Sequence, residues 1–271
     1  MASQINHVAI MSESFAMVAQ FYQAVFGFQP PPKQTNFGAI TVGDGYTGVN
    51  INPRRPGRPA RLDHFGIQVD DVDAVLDTFK SKYPAVHVLK RPANRPFAGL
   101  TTHDPDGNIF DLSQIRMENR SEIYKATENK GGWTQDRVIT HFGIRTLNPE
   151  KMAEFYVDAL GLSLANRAPG DPNYYVTDGR MTLTLIQWDI MDYDGFGIVG
   201  AGPNHIGIKV ENLDAFKAHV EDIAGKNPWL APKEISMGPE GAKSRELFAA
   251  SVPYAQHQMA DNNCVLLAIH E

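Results

Sequence analysis

The chain is 271 residues long and has one cysteine, Cys264. A single thiol closes no intramolecular disulfide, so the fold must rest on its core, and a reducing, cytoplasmic setting is the expectation. No apolar run approaches the ~20 residues that span a bilayer, so no membrane association is expected. The opening MASQINHVAI lacks a basic segment followed by a long apolar one, so no secretory leader is expected either. Positive charge is also short: 25 Lys and Arg stand against 31 Asp and Glu, for a net charge of −6. That balance offers no basic footprint for nucleic acid. What remains is an ordinary globular composition, 42% hydrophobic and 21% charged, long enough for one large domain or two of usual size.

The informative feature is a repeat. A histidine, an apolar residue, a small residue and isoleucine occur together four times, as His7–Ile10, His64–Ile67, His141–Ile144 and His205–Ile208. The alternation suits a short strand, with the histidine and the small residue on one face and the two apolar residues on the other. The surroundings repeat in two flavours. Phe-Tyr follows His7 and His141 by 14 residues, and Gly27 and Gly161 follow them by 20. NPEKMAEFYVDALGL reads as a helix capped by Asn148, with Pro149 in its first turn and Gly161 as its stop. SESFAMVAQFYQAVFGF reads likewise, with Ser12 or Ser14 as cap and Gly27 as stop. After His64 and His205 come VDDVDAVLDTF and VENLDAFKAHV, each with acidic residues where a helix start favours them. Strand-like segments complete each unit. The expected fold is therefore α+β, with four modules of one strand, one helix and about three strands. They cover roughly 5–56, 62–115, 138–190 and 203–270. The polar segment at 116–136 separates residues 1–116 from 137–271 as two expected domains, each a pair of modules, with 117–136 as linker.

This arrangement resembles the vicinal oxygen chelate superfamily, which includes glyoxalase I, extradiol ring-cleaving dioxygenases and bleomycin-resistance proteins. The resemblance rests on the four histidine strands, the Phe-Tyr…Gly helix ends and HDPDGNIFDLSQ, which looks like the family's turn before a last strand. It implies four βαβββ modules paired into two incomplete barrels, with a divalent metal inside one. In the dioxygenases the ligands are His, His and Glu, from the first strand of each module of a pair and the last strand of the second. The matching positions in the N-terminal half are His7, His64 and Asp111. Such a triad leaves coordination sites open and suits Fe(II); Mn(II) accepts the same ligands. In the C-terminal half they are His141 and His205, and turn alignment sets Leu266, which cannot ligate, opposite Asp111. The N-terminal half is therefore the expected metal site. Tyr254 and His257 approach the last hairpin of the C-terminal half and, with His141 and His205, form the alternative.

The dioxygenase signature also has a tyrosine where Thr101 stands and a histidine near Asn94, so this chain departs from it. Asn50 and Asn52 occupy the strand where glyoxalase-like members place a further ligand, and asparagine is a poor substitute for carboxylate. DPDGN at 104–108 is first of all a turn. His103 before it is a candidate proton carrier, because imidazole titrates near neutrality. NPRRPGRPAR reads as a Pro-stiffened connector, and DIMDYDGFGIVGAGP as a Gly-rich loop without the context of a phosphate loop. Phe21, Tyr22, Phe155 and Tyr156 read as helix-to-sheet core. The implied function is a metal-dependent oxidoreductase resembling extradiol dioxygenases, with a small aromatic vicinal diol and O2 as its partners. A lyase or isomerase acting through an enediolate is the alternative, and a binding protein without catalysis is the third reading. Homo-oligomers are an expectation from the resemblance.

Overall fold

A computed structural model describes residues 3–30, 38–92, 99–114, 135–190, 200–233, 235, 242, 246 and 255–271. Tyr254, Asn94, most of the 116–136 segment and most of the Gly-rich loop lie outside them. In the first module β1 (Ser3–Ser12) is followed by α1 (Phe15–Phe26), β2 (Ile40–Gly43) and β3 (Gly48–Pro53). The second holds β4 (Arg61–Val69), α2 (Val72–Lys82), β5 (Leu89–Lys90), β6 (Leu100–His103) and β7 (Ile109–Gln114). The third holds β8 (Val138–Thr146), α3 (Pro149–Leu160), β9 (Ser163–Leu164), β10 (Tyr174–Thr177) and β11 (Thr182–Gln187). The fourth holds β12 (Gly202–Lys209), α4 (Leu213–Lys226), β13 (His257–Ala260) and β14 (Leu266–His270). The second and third modules are complete βαβββ units. In the first and fourth, the strand after the helix is reduced to one bridge, Gln29 with Gly43 and Lys233 with Ala260.

The helices begin and end where local chemistry dictates. Asn148 Oδ1 accepts from the Lys151 amide at 3.0 Å, ahead of Pro149 at the first helical position. Asp71 and Asn212 cap α2 and α4 in the same way, through the amides of Ala74 and Ala215. Gly27 and Gly161 close α1 and α3 at φ of 73° and 68°, a left-handed conformation that glycine adopts without steric cost.

Each half builds one open seven-stranded sheet, ordered β2-β3-β1-β4-β7-β6-β5 and β13-β14-β12-β8-β11-β10-β9. Both are mixed. The two histidine strands pair antiparallel at the centre, β1 with β4 and β8 with β12, while each pairs parallel with its module's last strand. Neither sheet closes into a barrel. One face of each carries the histidines and the other carries the apolar residues of the repeat. The apolar faces of the two halves meet in a single core. Phe65 of β4 lies 5.5 Å from Phe110, 5.3 Å from Phe142 of β8 and 6.1 Å from Tyr156 of α3, centroid to centroid. Phe26 of α1 stacks on Phe216 of α4 at 5.5 Å.

Four aspartates in the turns before the last strands tie the halves together. Asp44 and Asp178 accept from the amides of Ile139 and Ile5 across the halves, at 2.8 and 2.7 Å. Asp104 and Asp261 accept from the hydroxyls of Tyr156 and Tyr22, at 2.9 and 3.0 Å. Each aspartate also takes amides of its own turn, so its buried oxygens are well supplied with donors. Burial pushes the carboxyls of Asp44 and Asp261 up to about 6 despite those donors. Tyr22 and Tyr156 are thus core residues, as their position in the repeat implies, but their hydroxyls do more than pack. Tyr22→Phe and Tyr156→Phe should each cost ~1–3 kcal/mol, because a buried acceptor loses its donor. Both losses bridge the halves, so chemical denaturation of either variant should shift one common transition. Two separate transitions, only one of them shifted, would show that the halves unfold independently.

Candidate metal centre

The antiparallel register explains why the repeat couples histidine to a small residue two positions on. His7 stands opposite Gly66, and Ala9 opposite His64. In the other sheet His205 stands opposite Gly143, and His141 opposite Gly207. The rings lie across the facing glycines: a Cβ on Gly66 would overlap the His7 ring, one on Gly143 the His205 ring, and one on Gly207 the His141 ring. Ala9 keeps its Cβ, and the His64 side chain opposite it remains 14% exposed whereas His7 is fully buried.

In the N-terminal sheet a carboxylate joins the two rings. β7 pairs with β4 so that Asp111 lies beside Gly66, on the histidine face. Asp111 Oδ2 is 3.8 Å from His7 Nε2 and 3.5 Å from His64 Nε2. Among the described residues, these three form the one group of His, Cys, Asp or Glu donors with every ligand atom within 4.8 Å of the others. The far side of each ring is held by the residue just before it. His7 Nδ1 donates to Asn6 Oδ1 at 2.6 Å, and His64 Nδ1 donates to Asp63 Oδ2 at 2.8 Å. An acceptor at Nδ1 fixes the tautomer whose Nε2 lone pair faces inward, as metal-ligating imidazoles require. Thr101, on β6 beside Asp111, donates to Asp111 Oδ1 at 2.6 Å and leaves Oδ2 to the rings.

Electrostatics follow from this packing. Burial alone would raise the Asp111 carboxyl, but His64, His7 and Thr101 hold it down at about 2. Burial alone would discharge His64, but Asp111 and Asp63 outweigh it and lift the imidazole to about 9. Without a metal, His64 therefore carries the proton that balances Asp111. The donor set, two imidazole nitrogens and one carboxylate oxygen, fits a divalent ion that accepts both atom types.

The C-terminal sheet arranges its histidines differently. His141 Nε2 and His205 Nε2 lie 3.0 Å apart, so one proton sits between them and only one lone pair faces the gap. His205 Nδ1 donates to Asn204 Oδ1 at 2.8 Å. The Thr140 hydroxyl lies 3.2 Å from His141 Nδ1 and 2.8 Å from His270 Nε2. Unlike the Asp63 carboxylate at His64 Nδ1, a threonine hydroxyl can donate as well as accept. Burial depresses both imidazoles, His205 to about 3 with help from Arg145, and His141 well below its ordinary range with help from His205 and His270. Strand pairing also corrects the expected counterpart of Asp111. It is Ala268, opposite Gly207, and not Leu266, which pairs with His205. Asp111 stands seven residues after Asp104, and Ala268 stands seven after Asp261. Aligning on those two aspartates would have found it.

Neither His257 nor His103 belongs to the cluster of His7, His64 and Asp111. His257 pairs with Ile269 and so faces the helix side of its sheet, away from His141 and His205. It lines a cleft of about 530 Å³ with Phe216 and Lys217. His103 has both ring nitrogens engaged with backbone, Nδ1 donating to Asp104 O at 2.7 Å and Nε2 accepting from the His87 amide at 3.0 Å. Sequence reasoning missed Asn6, Asp63 and the contact of Thr101 with Asp111. A polar residue before every one of the four histidines (Asn6, Asp63, Thr140 and Asn204) was the available signal.

Residues 4–112 match the model of the Glyoxalase/Bleomycin resistance protein/Dioxygenase superfamily. No curated protein matches the sequence significantly. Solved structures match in fold. A Mn(II)-bound glyoxalase from Novosphingobium aromaticivorans is 16% identical, with a TM-score of 0.56 over 83% of this chain and 71% of that one. An extradiol ring-cleaving dioxygenase from B. fuscum is 14% identical, with a TM-score of 0.59 over 100% and 72%. The 2,2',3-trihydroxybiphenyl 1,2-dioxygenase of Sphingomonas wittichii is 12% identical, with a TM-score of 0.58 over 99% and 90%. The fold is that of the vicinal oxygen chelate superfamily. Among the described residues, no helix is long and apolar enough to cross a membrane.

Two outcomes follow. Gly66→Ala should abolish metal binding by displacing His7, whereas Gly207→Ala, which disturbs His141 alone, should leave it intact; equilibrium dialysis with Mn(II) on folded protein compares them. Below pH 9 an entering ion must displace the His64 proton, so apparent affinity should rise about tenfold per pH unit from about 7 to 9 and level off above. A flat profile over that range would show that metal entry displaces no proton from His64.

Proposed function

For a chain with the vicinal oxygen chelate fold, we propose that His7, His64 and Asp111 hold a divalent metal, Fe(II) first and Mn(II) as the alternative. The chain is then a metal-dependent enzyme acting on a small molecule with two adjacent oxygens. The leading reading is an oxidoreductase of the extradiol type, acting on an aromatic vicinal diol with O2. The observation that carries it is the convergence of two inward Nε2 atoms and one carboxylate oxygen on the buried face of an open sheet.

A divalent ion bound there supplies Lewis acidity to adjacent substrate oxygens and open coordination positions for both reactants. The chain supplies the rest. His7 and His64 are oriented before substrate arrives, because Asn6 and Asp63 fix their tautomers. Thr101 aims Asp111 by occupying its outer oxygen. Burial of His7 and Asp111 excludes bulk water from the inner side of the cluster, while His64 marks its more open flank. His103, the candidate proton carrier, holds Asp104 O and the His87 amide through its two ring nitrogens, so it would have to release one of these bonds to take a proton from the substrate.

A lyase or isomerase acting through an enediolate is the second reading. Thr101, standing where the dioxygenases have tyrosine, favours it.

The test is metal quantification on protein purified anaerobically with Fe(II), beside His64→Ala and His205→Ala, each checked by circular dichroism for folding. Metal should be lost in the first and kept in the second; the reverse would move the site to the other half. Oxygen consumption by the iron form over a panel of catechols separates the two readings. Uptake stoichiometric with ring opening supports the dioxygenase, and none with any catechol overturns it.

A further inference from the structure

The charge around the cluster does not balance with a metal in place. Asp63 answers Arg61, whose Nη2 lies 3.5 Å from Asp63 Oδ1. Asp111 offsets one of the two charges of the ion. Arg91 is left over. It follows β5, and its amide bonds to Gly99 O at 3.0 Å, continuing the pairing in which Leu89 faces Thr101. By alternation Arg91 shares the face of Thr101 and Asp111. Its Nη1 donates to Thr101 Oγ1 at 3.2 Å, which places the guanidinium two hydrogen bonds from the carboxylate of the cluster. The residue is half-buried, and among the described residues it forms no ion pair with a carboxylate. A partly desolvated guanidinium beside a cation centre is costly unless an anion joins it. Its planar fork of donors matches a carboxylate.

We propose that Arg91 selects substrates that carry a carboxylate in addition to their two adjacent oxygens, the pair of oxygens going to the metal and the carboxylate to the guanidinium. This rests on the metal site proposed above. Thr101 is the positioning residue between the two: it holds Asp111 on one side and the guanidinium on the other. Arg91 then sets which diol binds, and Thr101 how firmly the metal is held.

The experiment measures binding rather than turnover. Calorimetric titration of the Mn(II)-loaded protein compares 3,4-dihydroxybenzoate with 3,4-dihydroxybenzamide, which has the same shape and no charge. The wild type should prefer the carboxylate. At saturating Mn(II), Arg91→Gln should weaken the carboxylate by ~10–100-fold, the range expected for a charge-assisted contact, and leave the amide unchanged. Thr101→Val should lower Mn(II) affinity. Equal affinity of the wild type for both probes, or an equal loss of both in Arg91→Gln, would overturn the proposal while leaving the metal site standing. Failure of the wild type to bind Mn(II) at all would overturn the metal site and the proposal together.

Discussion

An imidazole on one strand of a tight antiparallel pair needs space that the facing residue must give up. That exchange is made reciprocally in both sheets. Each histidine strand offers a ring and, two residues on, the seat for its partner's ring. The constraint sets the antiparallel register, puts both histidines on one face, and turns the apolar residues between them to the other. The inner faces become polar and suited to ligation. The outer faces supply Phe65, Phe142 and their neighbours to the shared core. Packing and site are thus two sides of one alternation, and a one-residue slip of register would exchange them.

The two halves start from the same frame and differ by few side chains. In the N-terminal sheet Asn6 and Asp63 accept at Nδ1, both Nε2 atoms turn to a common point, and Asp111 meets them there. In the C-terminal sheet Asn204 accepts from His205 in the same way, but Thr140 precedes His141, the last strand brings Ala268 in place of a carboxylate, and the rings bond to each other. The first arrangement gathers charge around His64 and Asp111; the second leaves neutral, buried imidazoles. Buried neutral histidines with hydrogen-bond partners fit a structural role.

Much of this was written locally and could be read as such. The four modules follow from offsets between histidine, Phe-Tyr and glycine, and the helix ends follow from Asn148, Asp71, Asn212, Gly27 and Gly161. The positions of His7, His64 and Asp111 followed from the repeat together with the family it resembles. The counterpart of Asp111 was misplaced at Leu266 because the second turn lacks the Pro and Gly that mark the first, although its Asp261 is the better landmark. The contacts of Tyr22 and Tyr156 were out of reach: they join residues 239 and 52 positions apart, and nothing in the immediate sequence announces the partner. Thr101 is different: its partners Arg91 and Asp111 lie ten residues away on either side, but it reads as an absent tyrosine in the sequence and as a brace for Asp111 in the fold.

The claim on which the functional account turns is that three side chains of the N-terminal sheet converge on one ion. Anomalous diffraction at the manganese edge, from crystals grown with Mn(II), tests it without reference to any substrate. The account predicts a single protein-bound peak about 2.0–2.2 Å from His7 Nε2, His64 Nε2 and an Asp111 oxygen. A peak between His141 and His205, or an Asp111 carboxylate turned away from both of its histidines in the presence of the metal, would contradict it.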